Sequence, residues 1–467
     1  MLDFVVVGSG PNGLAAALTL AEAGHTGVVL EGAPTPGGGT RSAELTLPGV
    51  VHDVCSAVHP FGIASPFFAS HPLPGLEWAH PEIPLAHPLD DGTAGVLHHS
   101  LDDTVAGLGE DGRAWQRTVG PMVRHWDDTV SFSLSPALRA LKRPIAGARF
   151  GLTALRPASW LVRRFKTPQG RGLWAGLASH SVAPLSGWAT SGVAVSLAAA
   201  AHAVGWPFAA GGSQQIAEAM VARLDDLGVE VRVGTPVHSM ADVPEARTVL
   251  FDTAPSAVID IAGDRLDRGV RRAYRKVKRA PAIFKVDLAM DAPAPWTAEP
   301  ARRAGTVHLG GAWEEIAAGE NATNRGEHVE RPFVIAAQPT VADPSRSPDG
   351  THVLWAYCHV PTGSAVDMTE RILDQIERFA PGFRGTIREV AVHTPAMFED
   401  ENPNNVAGDI TGGALTLSQI LARPRLFRPY RAGDGLYLCS SSAPPGAGVH
   451  GMCGHWAAQE ALKRLGG

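Results

Sequence analysis

Three glycines spaced as Gly8-x-Gly10-x-x-Gly13, with Glu31 eighteen positions after the last of them, have the types and spacing to hold a dinucleotide. Gly8 permits a tight turn, Gly10 lets the backbone approach a pyrophosphate, and Gly13 lets a helix pack close to a sheet. The N-terminus of that helix offers free N–H groups and a partial positive charge to the diphosphate. Glu31 is placed to accept hydrogen bonds from the adenosine ribose. A second glycine-rich turn, Gly37-Gly38-Gly39-Thr40-Arg41, lets the backbone run along an extended cofactor, and Arg41 can neutralise diphosphate charge or contact a flavin edge. A plain surface turn is the bland alternative there. The pairing of the two turns points to FAD rather than NAD.

The other chemical stretch lies near the end, Gly435 through Met452, where a strand-like run leads into small residues and a helix start. Backbone N–H groups near Gly451 and Met452 are expected to face the pyrimidine edge of a flavin and to stabilise charge gained on reduction. Hydride removal by a flavin needs a C–H bond held in place more than it needs an acid or a base. Two histidines are nevertheless candidate catalytic residues. His450 sits in the closing turn, where it either moves protons and steers substrate or simply caps the turn. His59 falls near the expected ring region. Asp53, beside His52, reads as a packing and hydrogen-bonding residue. No metal-ligand spacing and no Gly-x-Ser-x-Gly elbow occurs, so no metal is expected.

The elements that must position these residues follow from periodicity. Phe4–Val7, the glycine turn, Leu14–Ala23 and Gly27–Leu30 read as one strand–helix–strand unit. From Pro48 to about Pro88 the chain is broken by Pro, Gly and His and reads as irregular. Helical spacing returns near Leu101 to Asp128. Val193–Val204 is alanine-rich, too short to cross a bilayer, and reads as a buried helix. The helix Gln214–Leu227 and the strands Val229–Val233 and Thr248–Asp252 bring the chain back to its first sheet. Strand-like runs at Ile283–Leu288, Val334–Gln338 and His352–His359, with a helix at Met368–Phe379, predict a second sheet. Gly435–Cys439 reads as a strand and Gly451–Leu465 as the last helix.

A chain of 467 residues exceeds one ordinary core, which predicts two domains. The net charge of −6 gives no general attraction to nucleic acid, so that partner is not expected. Cys55, Cys358, Cys439 and Cys453 form no C-x-x-C pair and read as reduced thiols. The chain opens directly on a strand-like run without a signal-peptide pattern, which predicts a cytoplasmic protein. Between Asp128 and Glu218 there is no acid, while basic residues from Arg139 to Arg171 crowd among Leu, Phe and Trp160. Such a segment either lies on an anionic membrane as a peripheral contact or is a solvated basic face.

The segment Gly435–Met452 and the opening fingerprint resemble those of phytoene desaturases and related carotenoid oxidoreductases. The stretches His52–Pro60 and Asn402–Asn405 through Gly408–Ile410 resemble the phytoene-dehydrogenase-like subgroup that includes pyridine nucleotide-disulfide oxidoreductase domain-containing protein 2. The resemblance is specific at both ends of the chain and loose in its middle. The disulfide in that subgroup's name has no counterpart here, and no second glycine fingerprint marks a separate NAD domain.

The resemblance implies an α/β fold: a Rossmann-like FAD-binding domain of the amine oxidase and phytoene desaturase type, interleaved with a mixed-sheet and helical substrate domain. The first is expected from 1–70, 205–280 and 415–467, the second from 71–204 and 281–414. It implies FAD contacts at Gly8, Gly10, Asn12, Gly13, Glu31, Gly38, Gly39, Thr40 and Arg41, then at the Val237 backbone, and at Gly448, Val449, Gly451 and Met452. The implied activity is desaturation of a hydrophobic polyene or lipid-like substrate by hydride transfer to the flavin. A redox-neutral polyene isomerase, an amine oxidase and a flavin-binding interaction protein with little turnover stay open beside it.

Overall fold

The computed structural model describes residues 1–347 and 349–466, with the side chains of residues 140 and 141 left out. The opening unit is β1 (Leu2–Val7), α1 (Pro11–Glu22) and β2 (Gly27–Leu30). Pro11 suits the first turn of α1, where its missing N–H costs nothing, and Gly24 takes a left-handed conformation (φ 88°) just past the helix end. Residues Leu14 to Leu20 are buried on every side, so α1 is an interior helix rather than an amphipathic surface one. The last helix, Met452–Leu465, crosses it closely. A Cβ on Gly454 would stand 1.7 Å from the Asn12 carbonyl oxygen, so only glycine admits that crossing.

Two sheets carry the molecule. The first has six strands in the order Arg431–Gly433, Leu436–Leu438, Ala246–Phe251, β1, β2, Glu230–Arg232, all parallel except the edge strand Arg431–Gly433. Its strands come from three separated stretches of chain. The second has seven strands in the order Ile387–His393, Ala282–Met290, His352–Val360, Val334–Ala337, Ala304–Leu309, Ile83–Pro88, Ala94–Leu97. It is antiparallel except where Ala304–Leu309 runs parallel to Ile83–Pro88. Helices including Pro168–Ser179 and Thr190–Ala203 pack a second core against it.

One sequence expectation needs correction. Ile83–Pro88 is a fully buried strand, not irregular chain. Its ladder with Ala304–Leu309 pairs Ile83, Leu85 and Ala86 and passes over Pro84, the residue with no N–H to give. The helical spacing near Leu101 to Asp128 is found as successive short helices, Leu101–Gly107, Gly112–Thr118, Gly120–Arg124 and Trp126–Ser133. Gly109 (φ 52°) and Pro121 interrupt it.

Candidate functional site

At the carboxyl ends of β1 and β2 the chain leaves a cavity of about 1110 Å³, above the roughly 300–1,000 Å³ of most single-ligand sites. Position and size suit a dinucleotide with a substrate beside it. At this end the wall is Gly8, Gly10, Asn12, Glu31, Gly38, Gly39, Arg41 and Val237. Gly8 is left-handed (φ 98°), and a Cβ there would lie 2.8 Å from the Asp252 carbonyl oxygen. Gly10 at the N-cap has no side chain to cap α1, and of its first turn the Gly13 N–H goes to Asp252 Oδ2. The rest of that turn is open to an anion.

Glu31 is held from both sides. Its Oε2 accepts from the Ser9 N–H (2.9 Å) and hydroxyl (2.5 Å), and its Oε1 accepts from the Ala33 N–H (2.8 Å). Arg41 Nη2 stands 3.5 Å from Oε1, while Nη1 donates to the Glu401 carbonyl (3.1 Å). Gly13 and Thr40 lie behind the wall. The Gly13 N–H donates to Asp252 Oδ2 (2.8 Å), and the Thr40 hydroxyl closes the second turn on the Gly37 carbonyl (2.8 Å).

The closing turn puts Gly448, Val449 and His450 on the wall, with Gly451 and Met452 behind it. A Cβ on Gly451 would meet Phe67 and Ala15 at 2.8 and 2.9 Å. His450 Nδ1 accepts the Met452 N–H (3.0 Å), so it caps the last helix, and that N–H is not turned to the cavity. Burial lowers this imidazole to about 4, leaving it neutral. His59, on the wall and likewise lowered to about 4 by burial, donates from Nε2 to Ser213 Oγ (2.7 Å), because that hydroxyl itself donates to the Ser56 carbonyl. Asp53 is fully engaged: Oδ1 accepts from the Ser42 hydroxyl and the Ser213 N–H, and Oδ2 pairs with buried Arg346 (2.9 Å).

Away from the dinucleotide end the cavity opens into a lobe with walls from residues 132–206, 306, 335, 355 and 357. Phe150, Leu155, Val193, Leu197, Trp206, Ile335, Trp355 and Tyr357 line it, and the carboxylates that line the cavity, Glu31, Asp252, Asp260, Asp400 and Glu401, come from other segments. Its polar side chains include His180, whose Nε2 lies 3.0 Å from His308 Nε2, and Ser196, whose hydroxyl meets that of Ser133 (2.8 Å). Burial lowers His180 to about 3, which leaves its ring neutral at neutral pH.

Three groups were not singled out in the sequence. Asp252 ends Ala246–Phe251 against the glycine turn, and Asn404 fixes it there by accepting the Ala254 N–H (2.7 Å) and donating to the Asp252 carbonyl (3.3 Å). Lys285 and Asp287, both buried, form an ion pair on one face of their strand, with His52 and His393 at 3.5 and 3.6 Å from the carboxylate. The third is the His180–His308 pair. Charged residues at alternating positions of a hydrophobic strand, as in Phe284-Lys285-Val286-Asp287, were the readable sign of the second group.

Residues 6–68 match the family described as NAD(P)-binding Rossmann-like domain. Pyridine nucleotide-disulfide oxidoreductase domain-containing protein 2 of Rattus norvegicus is 32% identical over 150 residues, covering 29% of this chain and 26% of that one. The chain thus spans about a quarter of that relative's length. A 4,4'-diapolycopen-4-al dehydrogenase of Metabacillus indicus is 33% identical over 25% of each chain. The neurosporene-forming phytoene desaturase of Rhodobacter capsulatus is 27% identical over 53% of this chain and 51% of its own.

In fold, putrescine oxidase bound to putrescine superposes with a TM-score of 0.65 at 16% identity, over 100% of this chain and 99% of that one. Cyclohexylamine oxidase of Brevibacterium oxydans gives 0.62 at 14%, over 100% of both. The cradle at the end of β1 agrees with FAD as the cofactor. By sequence the chain is similar, over part of its length, to a phytoene desaturase and a diapolycopenal dehydrogenase, and its fold is that of putrescine oxidase and cyclohexylamine oxidase.

Proposed function

We propose that the protein is an FAD-dependent oxidoreductase that desaturates a hydrophobic, polyene or lipid-like substrate. The observation that carries this reading is the aromatic and aliphatic part of the cavity wall, drawn from residues 132–206, 306, 335, 355 and 357, to which none of the cavity's carboxylates, Glu31, Asp252, Asp260, Asp400 and Glu401, belongs. A buried cation without a counter-charge is strongly disfavoured, whereas a neutral chain gains roughly 25 cal/mol per Å² of apolar surface buried. The relatives named for phytoene and a diapolycopenal support the same substrate class.

In this reading Gly8 and Gly10 admit the diphosphate, Glu31 takes the ribose hydroxyls, and Arg41 supplies positive charge. The rings of Trp355 and Tyr357, 5.0 Å apart and edge to face, set the orientation of the substrate chain. The apolar walls exclude water from the reacting carbons. Bound FAD would supply the hydride acceptor. His450 serves by holding the closing turn against the last helix, and His59 by tying the segment before Phe61 to Ser213.

Anaerobic titration of the purified protein tests the reading. Candidate polyenes are expected to bleach the flavin absorbance, and putrescine or other amines to leave it unchanged. Bleaching by amines alone would move the assignment to the amine oxidases. A polyene isomerised without net bleaching would favour the redox-neutral alternative.

We propose further that the substrate enters from a lipid surface. The helix Pro144–Ala154 contributes Gly147, Phe150 and Ala154 to the cavity wall, while its Ile145 (78% exposed) and Leu152 (65%) face outward. Several basic residues of this segment are already paired: Arg143 with Asp128, Lys166 with Glu110 and Arg171 with Glu314. In this reading the apolar side chains carry the contact. The double variant Ile145→Glu/Leu152→Glu is expected to lose co-sedimentation with anionic liposomes. Unchanged co-sedimentation would rule this helix out as the anchor. Among the described residues no helix is long and apolar enough to cross a membrane.

A further inference from the structure

Asp252 is out of place by ordinary electrostatics. Its carboxyl sits against the N-terminus of α1, where the cradle must accept a diphosphate, and Glu31 stands close enough to repel it. The Oδ2 atom accepts the Gly13 N–H at 2.8 Å and lies where a Cβ on Gly10 would come within 2.6 Å of it. The side chain is 8% exposed, it lines the cavity, and its Oδ1 has no hydrogen-bond partner among the described residues. A carboxylate left ionised here would face the cofactor's own negative charge in a site with little water to screen it.

We infer that Asp252 is itself a cofactor-binding residue, a neutral carboxylic acid whose Oδ2 accepts from Gly13 and whose Oδ1 donates a hydrogen bond to the dinucleotide diphosphate. The inference rests on the FAD reading above. Its surroundings agree with a neutral acid. Burial, with Glu31 adding to it against the opposing N–H groups of Gly13 and Gly10, pushes this carboxyl up to about 7. The groups that face it from other elements do not counter this. Arg41 stands against Glu31, at 3.5 Å, rather than against Asp252. Cys439, after the strand Leu436–Leu438, and Cys453, on the last helix, are thiols raised by burial, the second to about 12, and stay uncharged. Thr253 and Asn404 bring no charge.

The sign follows directly. Cofactor binding takes up a proton at Asp252 once the free protein has lost it, so affinity is full below about pH 7 and falls above it, by up to about tenfold per pH unit. The probe is FAD itself, with its dissociation constant read from fluorescence quenching between pH 6 and pH 8.5. The wild type is expected to weaken steeply across that range. Asp252→Asn, which keeps an acceptor for Gly13 and a permanent donor beside it, is expected to bind with a flat profile and at least about tenfold more tightly than wild type at pH 8.5. Asp252→Ala is expected to be flat but weaker than the Asn variant.

A flat wild-type profile, or the same slope in the Asn variant, overturns the assignment; the wild-type profile alone decides if the variants do not fold. No FAD binding at any pH would overturn the cofactor reading and this assignment together.

Discussion

Replacing Gly13 by alanine is expected to yield a protein that purifies without its flavin. The added Cβ would stand 2.2 Å from the Gly8 carbonyl oxygen and 2.9 Å from the Asp252 side chain. Neither neighbour can yield cheaply. Gly8 fixes the turn between β1 and α1, and its own N–H is held by the Leu30 carbonyl at 2.8 Å. Overpacking of a core of this kind costs about 1–3 kcal/mol, and relief means moving α1 away from the sheet. Moving α1 displaces the helix N-terminus that receives the diphosphate, so cofactor affinity is expected to fall by tenfold or more, about 1.4 kcal/mol for each decade. Gly454→Ala is expected to lose flavin likewise, because its Cβ would meet the Asn12 carbonyl oxygen at 1.7 Å and displace the same helix from its other face. Flavin retained at wild-type stoichiometry in Gly13→Ala would contradict the packing account.

Asp287→Ala is expected to destabilise the protein more than any single change at the cavity surface. Lys285 and Asp287 are both fully buried, with His52 and His393 on the same carboxylate. Removing the carboxylate leaves the Lys285 ammonium without its partner, which costs on the order of 3–5 kcal/mol. The double variant Lys285→Met/Asp287→Leu is expected to recover much of that loss, since an apolar pair of similar volume carries no desolvation penalty. Urea midpoints of the single and double variants make the comparison. A single variant within about 0.5 kcal/mol of wild type, the range of ordinary surface substitutions, would show that the charges are not coupled.

The same cluster sets an acid limit. Burial alone would raise Asp287, but Lys285 beside it, with His393 and His52, holds it well below the usual carboxylate range. A depressed carboxyl contributes stability that is complete above its unfolded value near 4 and drains away as pH falls. The wild type is expected to lose stability below that pH faster than the double variant.

The cofactor end was legible because its signal is local. Gly8, Gly10, Gly13 and Glu31 fall within one strand–helix–strand unit, and the spacing of a turn, a helix and a strand dictates where each must stand. Asp252 was not legible in that way. It meets Gly13 across 239 positions of chain, and nothing in the residues around it marks a contact with the opening turn. His180 and His308 lie 128 positions apart for the same reason.

The strand Ile83–Pro88 was hidden by its two prolines, which read as breakers until the register shows one of them passed over by the ladder. Met452 shows a subtler limit. The sequence places its N–H at a helix start and offers His450 as a cap, both as found, but gives no sign that this cap turns the Met452 N–H away from the cavity.

Releasing the cofactor from purified protein by denaturation and weighing it by mass spectrometry tests the central claim most directly. The account predicts FAD at close to one equivalent per chain; a nicotinamide dinucleotide in its place, or no dinucleotide bound even after incubation with FAD, would contradict it.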